Sequence, residues 1–214
     1  IVVRCFPHIT HLACIAILKA ITNIDFSEGD PIDIESYEGE ATTFMDALER
    51  DPIATLRVIV RQIRSSSLRR QFFSEILKAL KLKDLELLRD VVTCWSSTLL
   101  MIERGLLLRP AVDQFLDSDE FGELRKYKLG DLEWQALETF KKVLEVPHAF
   151  QQKLSAEKTP ILGNALPAFE AMIKKWEQMQ VDYPELADII QKGLDKLGTY
   201  QERVERVPAY VLVM

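Results

Sequence analysis

The sequence predicts a mainly α-helical protein. Apolar residues recur at intervals of three and four through most of the 214 residues, which is the spacing that places side chains on one face of a helix. Helix start signals precede several of these segments. Asp51-Pro52, for example, places an N-cap residue before a proline at the first helical position. Hydrophobic residues make up 48% and charged residues 28%, so the composition is that of a globular protein rather than a disordered one.

The N-terminal 50 residues predict a short strand, a helix and a linker. Residues 1–4 are interpreted as the end of a buried strand that Pro7 interrupts, and a helix is expected from about Thr10. Its residues at helical spacing are Leu12, Ile15, Ala16 and Lys19. Residues 25–50 are acidic and carry turn-forming glycine, proline and serine, so they are interpreted as a solvated linker.

Two basic helices are predicted next, from Asp51 to about Arg64 and then after the serines at 65–67. Arg57, Arg61 and Arg64 recur at four and three residues, so they share one face of the first helix. The second carries its cations outside, namely Arg69, Arg70, Lys78, Lys81 and Lys83, and its apolar stripe inside, namely Phe72, Phe73, Ile76, Leu77 and Leu80.

Charge is distributed unevenly along the chain, which has a net charge of −6. Residues 1–50 carry three Lys or Arg against nine Asp or Glu, whereas residues 51–83 carry eight against two. A solvated face is the usual role of such a charge run. Because this block has few acids of its own, the pattern favours a surface that faces phosphates.

Residues 90–98, Asp-Val-Val-Thr-Cys-Trp-Ser-Ser-Thr, place an indole and hydroxyls before a helix expected over 99–108. Trp95 can pack in the core with its N–H satisfied, which is the commoner role, or present its ring to a ligand.

Further helices are expected to follow, with new starts at Pro110, Asp131, Pro147, Pro167 and Pro184 and a loop around Pro160. Their Trp, Phe and Met residues have ordinary core spacing. The inward residues include Trp134, Leu137, Phe140, Leu144, Phe169, Met172, Trp176 and Met179. Residues 207–212 look extended, and the apolar sequence at both ends indicates a piece of a larger protein.

Motifs for independent chemistry are weak. Cys5 and His8 lie three apart, but a zinc site needs two more ligands, and the proline between them is unlike a zinc knuckle. The remaining candidate ligands are His11, Cys14, Cys94 and His148. The sequence contains no nucleotide-binding loop, dinucleotide fingerprint or hydrolase elbow. Three sparse cysteines and an apolar start broken by charges predict a reduced, intracellular protein with no membrane span.

Two segments resemble motifs of the hAT superfamily of cut-and-paste DNA transposases, particularly copies from fungal genomes. Residues 4–14, Arg-Cys-Phe-Pro-His-Ile-Thr-His-Leu-Ala-Cys, look like the Cys/Asp-x-x-His motif and the helix that follows it. Residues 90–98 look like the Asp-x-x-Thr-Arg-Trp-Asn/Ser-Ser-Thr segment, with Cys94 at the arginine position.

The resemblance implies a helical insertion domain attached to part of a ribonuclease H-like α/β core. Three carboxylates of the family hold two Mg²⁺ ions, and the resemblance places them outside this chain, so neither a catalytic residue nor a cofactor is expected in it. Asp90 is not assigned to that triad. Cys5 and His8 would help to organise the DNA end, and Trp95 would stack on a flipped base. The expected DNA-binding residues are Cys5, His8, Trp95, Ser96, Arg57, Arg61, Arg64, Arg69 and Arg70.

The predicted organisation has five parts. They are a partial core at 1–24, an acidic linker at 25–50, the basic helices and tryptophan segment at 51–98, a helical insertion at 99–206, and a return to the core at 207–214. The leading hypothesis is an inactive, nuclear transposase fragment that retains contact with transposon-end DNA. The alternative is a helical module for protein interaction or homo-oligomerisation.

Overall fold

The structure is a computed structural model that describes residues 6–22, 39–91, 94–156 and 162–204. These residues are mostly helical, and no strand occurs among them. The predicted mainly α class is therefore confirmed. The strands expected at 1–4 and 207–212, which would belong to the ribonuclease H-like core, lie outside the described residues.

The described helices follow one another with short connections. They are α1 (Phe6–Ile21), α2 (Phe44–Glu49), α3 (Pro52–Ser65), α4 (Ser67–Ala79), α5 (Trp95–Leu107), α6 (Arg109–Asp117), α7 (Asp131–Ala156), α8 (Leu162–Asp182) and α9 (Ala187–Val204), with 3₁₀ segments at Asp119–Tyr127 and Pro184–Leu186.

The chain divides into two compact units. Unit 1 comprises Ile1–Ile21 and Lys142–Met214, and unit 2 comprises Thr22–Lys141. The division falls within α7. The predicted five-part organisation stays a prediction.

Helix α3 is the central element of unit 2. Every residue from Pro52 to Val60 is buried, and α4, α5 and the 3₁₀ segment Asp119–Tyr127 pack on it. The Asp51 carboxylate accepts a hydrogen bond from the Ala54 N–H at 2.9 Å, and Pro52 occupies the first turn. The predicted start of this helix and its end at the serines are both confirmed.

A short helix occupies the end of the predicted acidic linker. In α2, the Thr43 hydroxyl accepts from the Asp46 N–H at 3.1 Å, and the Asp46 carboxylate accepts from the Thr43 N–H at 2.9 Å. This reciprocal capping box satisfies two N–H groups that a helix start would otherwise leave without partners. Residues 39–50 are therefore not the simple loop that was expected; residues 25–38 lie outside the described part.

Pro147 does not begin a new helix, contrary to the prediction. Helix α7 continues through it. Because proline has no N–H, it cannot bond to the carbonyl of Val143, four residues earlier. The Trp176 indole N–H donates to that carbonyl at 3.0 Å. A contact from α8 thus supplies the partner that the interrupted helix lacks.

Three other helices begin earlier than predicted. Helix α1 begins at Phe6 and places Pro7 in its first turn, where a missing N–H costs no helical bond. Helix α5 begins at Trp95 rather than Leu99, and α8 at Leu162 rather than Pro167. The buried face of α1 is formed by Ile9, Thr10, Ala13, Cys14, Ile17 and Leu18 rather than by the residues expected.

The core of unit 1 depends on a close approach at Gly193 in α9. A Cβ at this position would lie 2.7 Å from Ile17 Cδ1 of α1 and 3.0 Å from Trp176 Cζ3 of α8. Trp176 is fully buried. Glycine thus lets three helices pack around one indole.

Membrane insertion finds no support in the described helices, since none of them combines the length and apolarity that a transmembrane span requires.

Candidate functional site

The tryptophan segment is anchored by a buried ion pair between Arg57 of α3 and Asp90. Asp90 Oδ2 accepts from Arg57 Nη2 at 2.8 Å and from Arg57 Nε at 3.1 Å. The side chains of Arg57 and Asp90 are only 6% and 1% exposed. A paired and hydrogen-bonded arrangement of this kind is the form in which charges are tolerated inside a protein.

Asp90 also accepts hydrogen bonds from the first turns of α5. Ser97 Oγ donates to Asp90 Oδ1 at 2.7 Å, and Thr98 Oγ1 lies 3.0 and 3.1 Å from the two carboxylate oxygens. The Val91 N–H donates to Ser97 Oγ at 2.7 Å. A negative charge near a helix N-terminus is favoured by the helix dipole. The hydroxyls of the segment therefore serve to hold Asp90 against α5.

The network extends beyond Arg57 to the cap of α3. Arg57 Nη1 lies 3.5 Å from Thr22 Oγ1, and Thr22 Oγ1 donates to Asp51 Oδ2 at 2.8 Å. Burial lowers the pKa of Arg57 from its ordinary value, and the Asp90 carboxylate opposes that effect. Since arginine keeps its proton in proteins, Arg57 remains a cation that needs its partner.

Trp95 is the first residue of α5 and is buried, with 4% of its surface exposed. The predicted stacking of this ring on a flipped base is therefore not possible in the described conformation, and the core role is the one observed. Ser96 is half-buried beside the exposed Cys94, with 3.2 Å between Cys94 Sγ and Ser96 Oγ.

The predicted arginine surface divides into paired and unpaired members. Besides Arg57, Arg64 pairs with Glu86 at 3.2 Å, and Arg69 pairs with Glu123 at 3.1 Å. The expectation that Arg57 faces phosphates is wrong, because its guanidinium is buried on a carboxylate. The block also has balancing acids, but they come from later in the chain.

Arg61 and Arg70 make no ion pair with any described residue. Arg61 is half-buried and Arg70 is exposed. The other exposed cations of this region without a described acidic partner are Lys78, Lys81, Lys83 and Arg89. This group of six, Arg61, Arg70, Lys78, Lys81, Lys83 and Arg89, is called the cationic surface below. It retains the part of the basic block that is available to an anionic partner.

The Cys-x-x-His motif is only partly described. Cys5 lies outside the described residues, whereas His8 is exposed in α1 with its ring centroid 6.4 Å from that of His11. Burial and the neighbouring His8 lower the pKa of His11. Cys14 is fully buried, and burial raises the pKa of its thiol well above the ordinary value. Within the described ranges, no three His, Cys, Asp or Glu residues are placed to hold a metal ion.

Sequence reasoning missed the pairing of Asp90 with Arg57. The signal that was available was the unusual set of hydroxyls after Asp90, because carboxylates and hydroxyls near a helix start commonly bond to one another. The identity of the arginine could not be inferred, since 33 residues separate the two partners.

Comparison with known proteins gives one family. Residues 40–143 match the family model of the ZBED1 RNase-like helical domain, which is a hAT-derived domain. Neither the curated proteins nor the solved structures contain a match to the chain. The matched residues include α2 to α6, the Arg57–Asp90 network and the cationic surface. The match supports a hAT-related, transposase-like origin for this chain.

Proposed function

We propose that this chain is a DNA-binding helical part of a hAT-type cut-and-paste transposase and that it does not cleave DNA by itself. The observation that carries this proposal is the cationic surface within the matched segment 40–143. Its partner would be transposon-end DNA, and its place of action the nucleus.

The cationic surface suits a backbone contact. Cations that lack an acidic partner can neutralise DNA phosphates and release condensed counterions, which produces affinity that falls steeply with salt. Arg61 and Arg70 supply planar guanidinium groups, which are matched to phosphate oxygens. The overall charge of −6 does not prevent this, because a local patch decides the potential that DNA meets.

Strand cleavage is not assigned to the described residues. Asp90 is the conspicuous acid of the matched segment, but Arg57, Ser97 and Thr98 donate to both of its oxygens and it is almost fully buried. Mg²⁺ prefers accessible oxygen ligands and keeps several waters. Asp90 therefore does not fit a catalytic magnesium site, and no step through Mg²⁺ is assigned to this chain.

The test is the binding of a labelled hairpin duplex by the full chain over a range of salt concentrations. We expect the Arg61→Ala/Arg70→Ala variant to bind more weakly and to reduce the slope of log affinity against log salt by about one for each lost phosphate contact.

The matched control removes two cations that already have acidic partners. Arg125 pairs with Asp119 at 2.9 Å, and Lys128 pairs with Asp117 at 2.7 Å. The Arg125→Ala/Lys128→Ala variant should leave the salt slope nearly unchanged. The proposal is refuted if the duplex binds no better than a neutral polymer at low salt, or if both variants change the slope equally.

A second candidate function is homo-oligomerisation. The buried Trp134 and Trp176 do not support it, since both rings lie in the core. Leu100 and Leu107 of α5 do, because they are 41% and 60% exposed and lie seven residues apart on one helix face. Light scattering should then give a mass above that of the monomer, and Leu100→Glu/Leu107→Glu should return it to the monomer. A monomer at high concentration would reject this function.

A further inference from the structure

A cavity of about 600 Å³ lies between the second half of α7 and α8 in unit 1. Its floor is apolar and includes Phe150, Met172 and Met179, each of which is nearly buried. Cavities of this volume are typical of binding sites. Methionine side chains are flexible and polarisable, so a floor of this kind can adapt to different apolar groups.

Small residues along the two helices leave the space open. Ala149 of α7 and Ala168 and Ala171 of α8 line the cavity, and none of them can fill the gap between the helices. The helices are joined by the bond from the Trp176 indole to the Val143 carbonyl. The cavity is therefore a groove between two helices whose separation is fixed by packing and by that bond.

The charges beside the groove are of two kinds. Lys153 and Lys175 are exposed, and neither makes an ion pair with any described residue. Lys142 lies 5.9 Å from the centroid of the Tyr183 ring, and Asp182 accepts from Gln178 Nε2 at 3.0 Å. The charges still available to a ligand are thus the two lysines.

We propose that this groove binds an acidic amphipathic helix of a partner protein. Along α7, the lining residues extend from Lys142 to Lys153, which is ~16 Å at the rise of an α-helix and matches about three turns of a bound helix. Apolar side chains of the partner would enter over Phe150, Met172 and Met179, and its carboxylates would meet Lys153 and Lys175. This is the helix-in-groove mode of recognition with complementary charge at the margin.

The experiment uses the full chain and fluorescein-labelled peptides of three helical turns. The acidic probe carries leucines on one helix face and glutamates beside them, and its matched partner carries lysines in place of the glutamates. Fluorescence anisotropy should show binding of the acidic probe and at least tenfold weaker binding of the basic one, since each rim contact changes from attraction to repulsion.

Two variants address the groove itself. Ala171→Phe fills it from an exposed position and should abolish binding, and Lys153→Glu/Lys175→Glu should weaken binding by about tenfold. The control is Lys192→Glu/Lys196→Glu, which makes the same charge change at exposed positions of α9 outside the lining. It should bind as the unchanged chain does, and circular dichroism should give the same helix content for all variants.

Several results would overturn the proposal. These are failure of the acidic probe to bind, equal affinity for both probes, and a groove variant that behaves like its control. A concentration-dependent mass that Ala171→Phe abolishes would assign the groove to a second copy of the chain instead. None of these outcomes depends on DNA binding, because the groove and the cationic surface belong to different units.

Discussion

Arg57 and Arg61 lie one turn apart on α3, yet the structure gives them opposite roles. Arg57 is buried and bound to Asp90, whereas Arg61 is half-buried and has no acidic partner among the described residues. The difference arises from a carboxylate that approaches from another part of the chain. Identical residues at helical spacing can therefore divide between an internal ion pair and a surface available to DNA. The predictions below test that division.

The largest effect is expected from Asp90→Ala. It leaves the buried Arg57 guanidinium without its counterion and removes the acceptor of Ser97 and Thr98, so the free energy of unfolding should fall by about 3–5 kcal/mol. Urea denaturation followed by circular dichroism measures it.

A double variant checks the cause of that loss. Arg57→Met/Asp90→Leu removes both charges together, and it should recover much of the stability because no buried charge remains unpaired. If Asp90→Ala were nearly neutral, or the double variant were less stable than both single variants combined, the buried pair would not have the role described.

Trp95→Phe tests whether Trp95 is a core residue. The smaller ring leaves a cavity at the start of α5, and we expect a loss of about 1–3 kcal/mol in the free energy of unfolding. Affinity for the hairpin duplex should not change. A stable variant with weakened DNA binding would instead return Trp95 to the base-stacking role that the resemblance implies.

Thr98→Val removes one donor to Asp90 and keeps the side-chain shape. Loss of a hydrogen bond to a charged group should lower the free energy of unfolding by about 1–2 kcal/mol. Thr139→Val is a matched control, since Thr139 donates only to the Gln135 carbonyl of its own helix at 2.9 Å. Equal effects of the two substitutions would show that the Asp90 contact adds nothing particular.

Arg61→Ala alone should leave the unfolding curve nearly unchanged, because its side chain has no described partner to lose. The salt slope for duplex binding should fall by about one. The opposite pattern, lower stability with an unchanged slope, would place Arg61 with Arg57 and abolish the distinction between them.

The smallest change is expected from Cys94→Arg. Cys94 is exposed at the start of α5, where the hAT motif has arginine, and a cation there can contact a phosphate. Duplex affinity should rise severalfold, with a steeper salt dependence. Cys94→Gln is the neutral control, and an equal gain from it would argue against a phosphate contact.

Local features of the fold were predictable where the signal is itself local. Asp51-Pro52 and the serines at 65–67 fixed the ends of α3 correctly, because caps and proline act on the residues beside them. The charge pattern was less informative. The acids that balance Arg64 and Arg69 are Glu86 and Glu123, and their proximity depends on how distant segments pack.

The sequence by itself determined a mainly helical chain, its principal caps, most of its core stripes and the resemblance that the family match over 40–143 supports. Tertiary structure alone decided three further points. Asp90 neutralises Arg57, Trp95 turns inward, and Trp176 occupies the carbonyl that Pro147 leaves without a partner. The physical reason is the same in each case. A buried charge, ring or carbonyl must find a partner, and that partner is supplied by a segment remote in sequence.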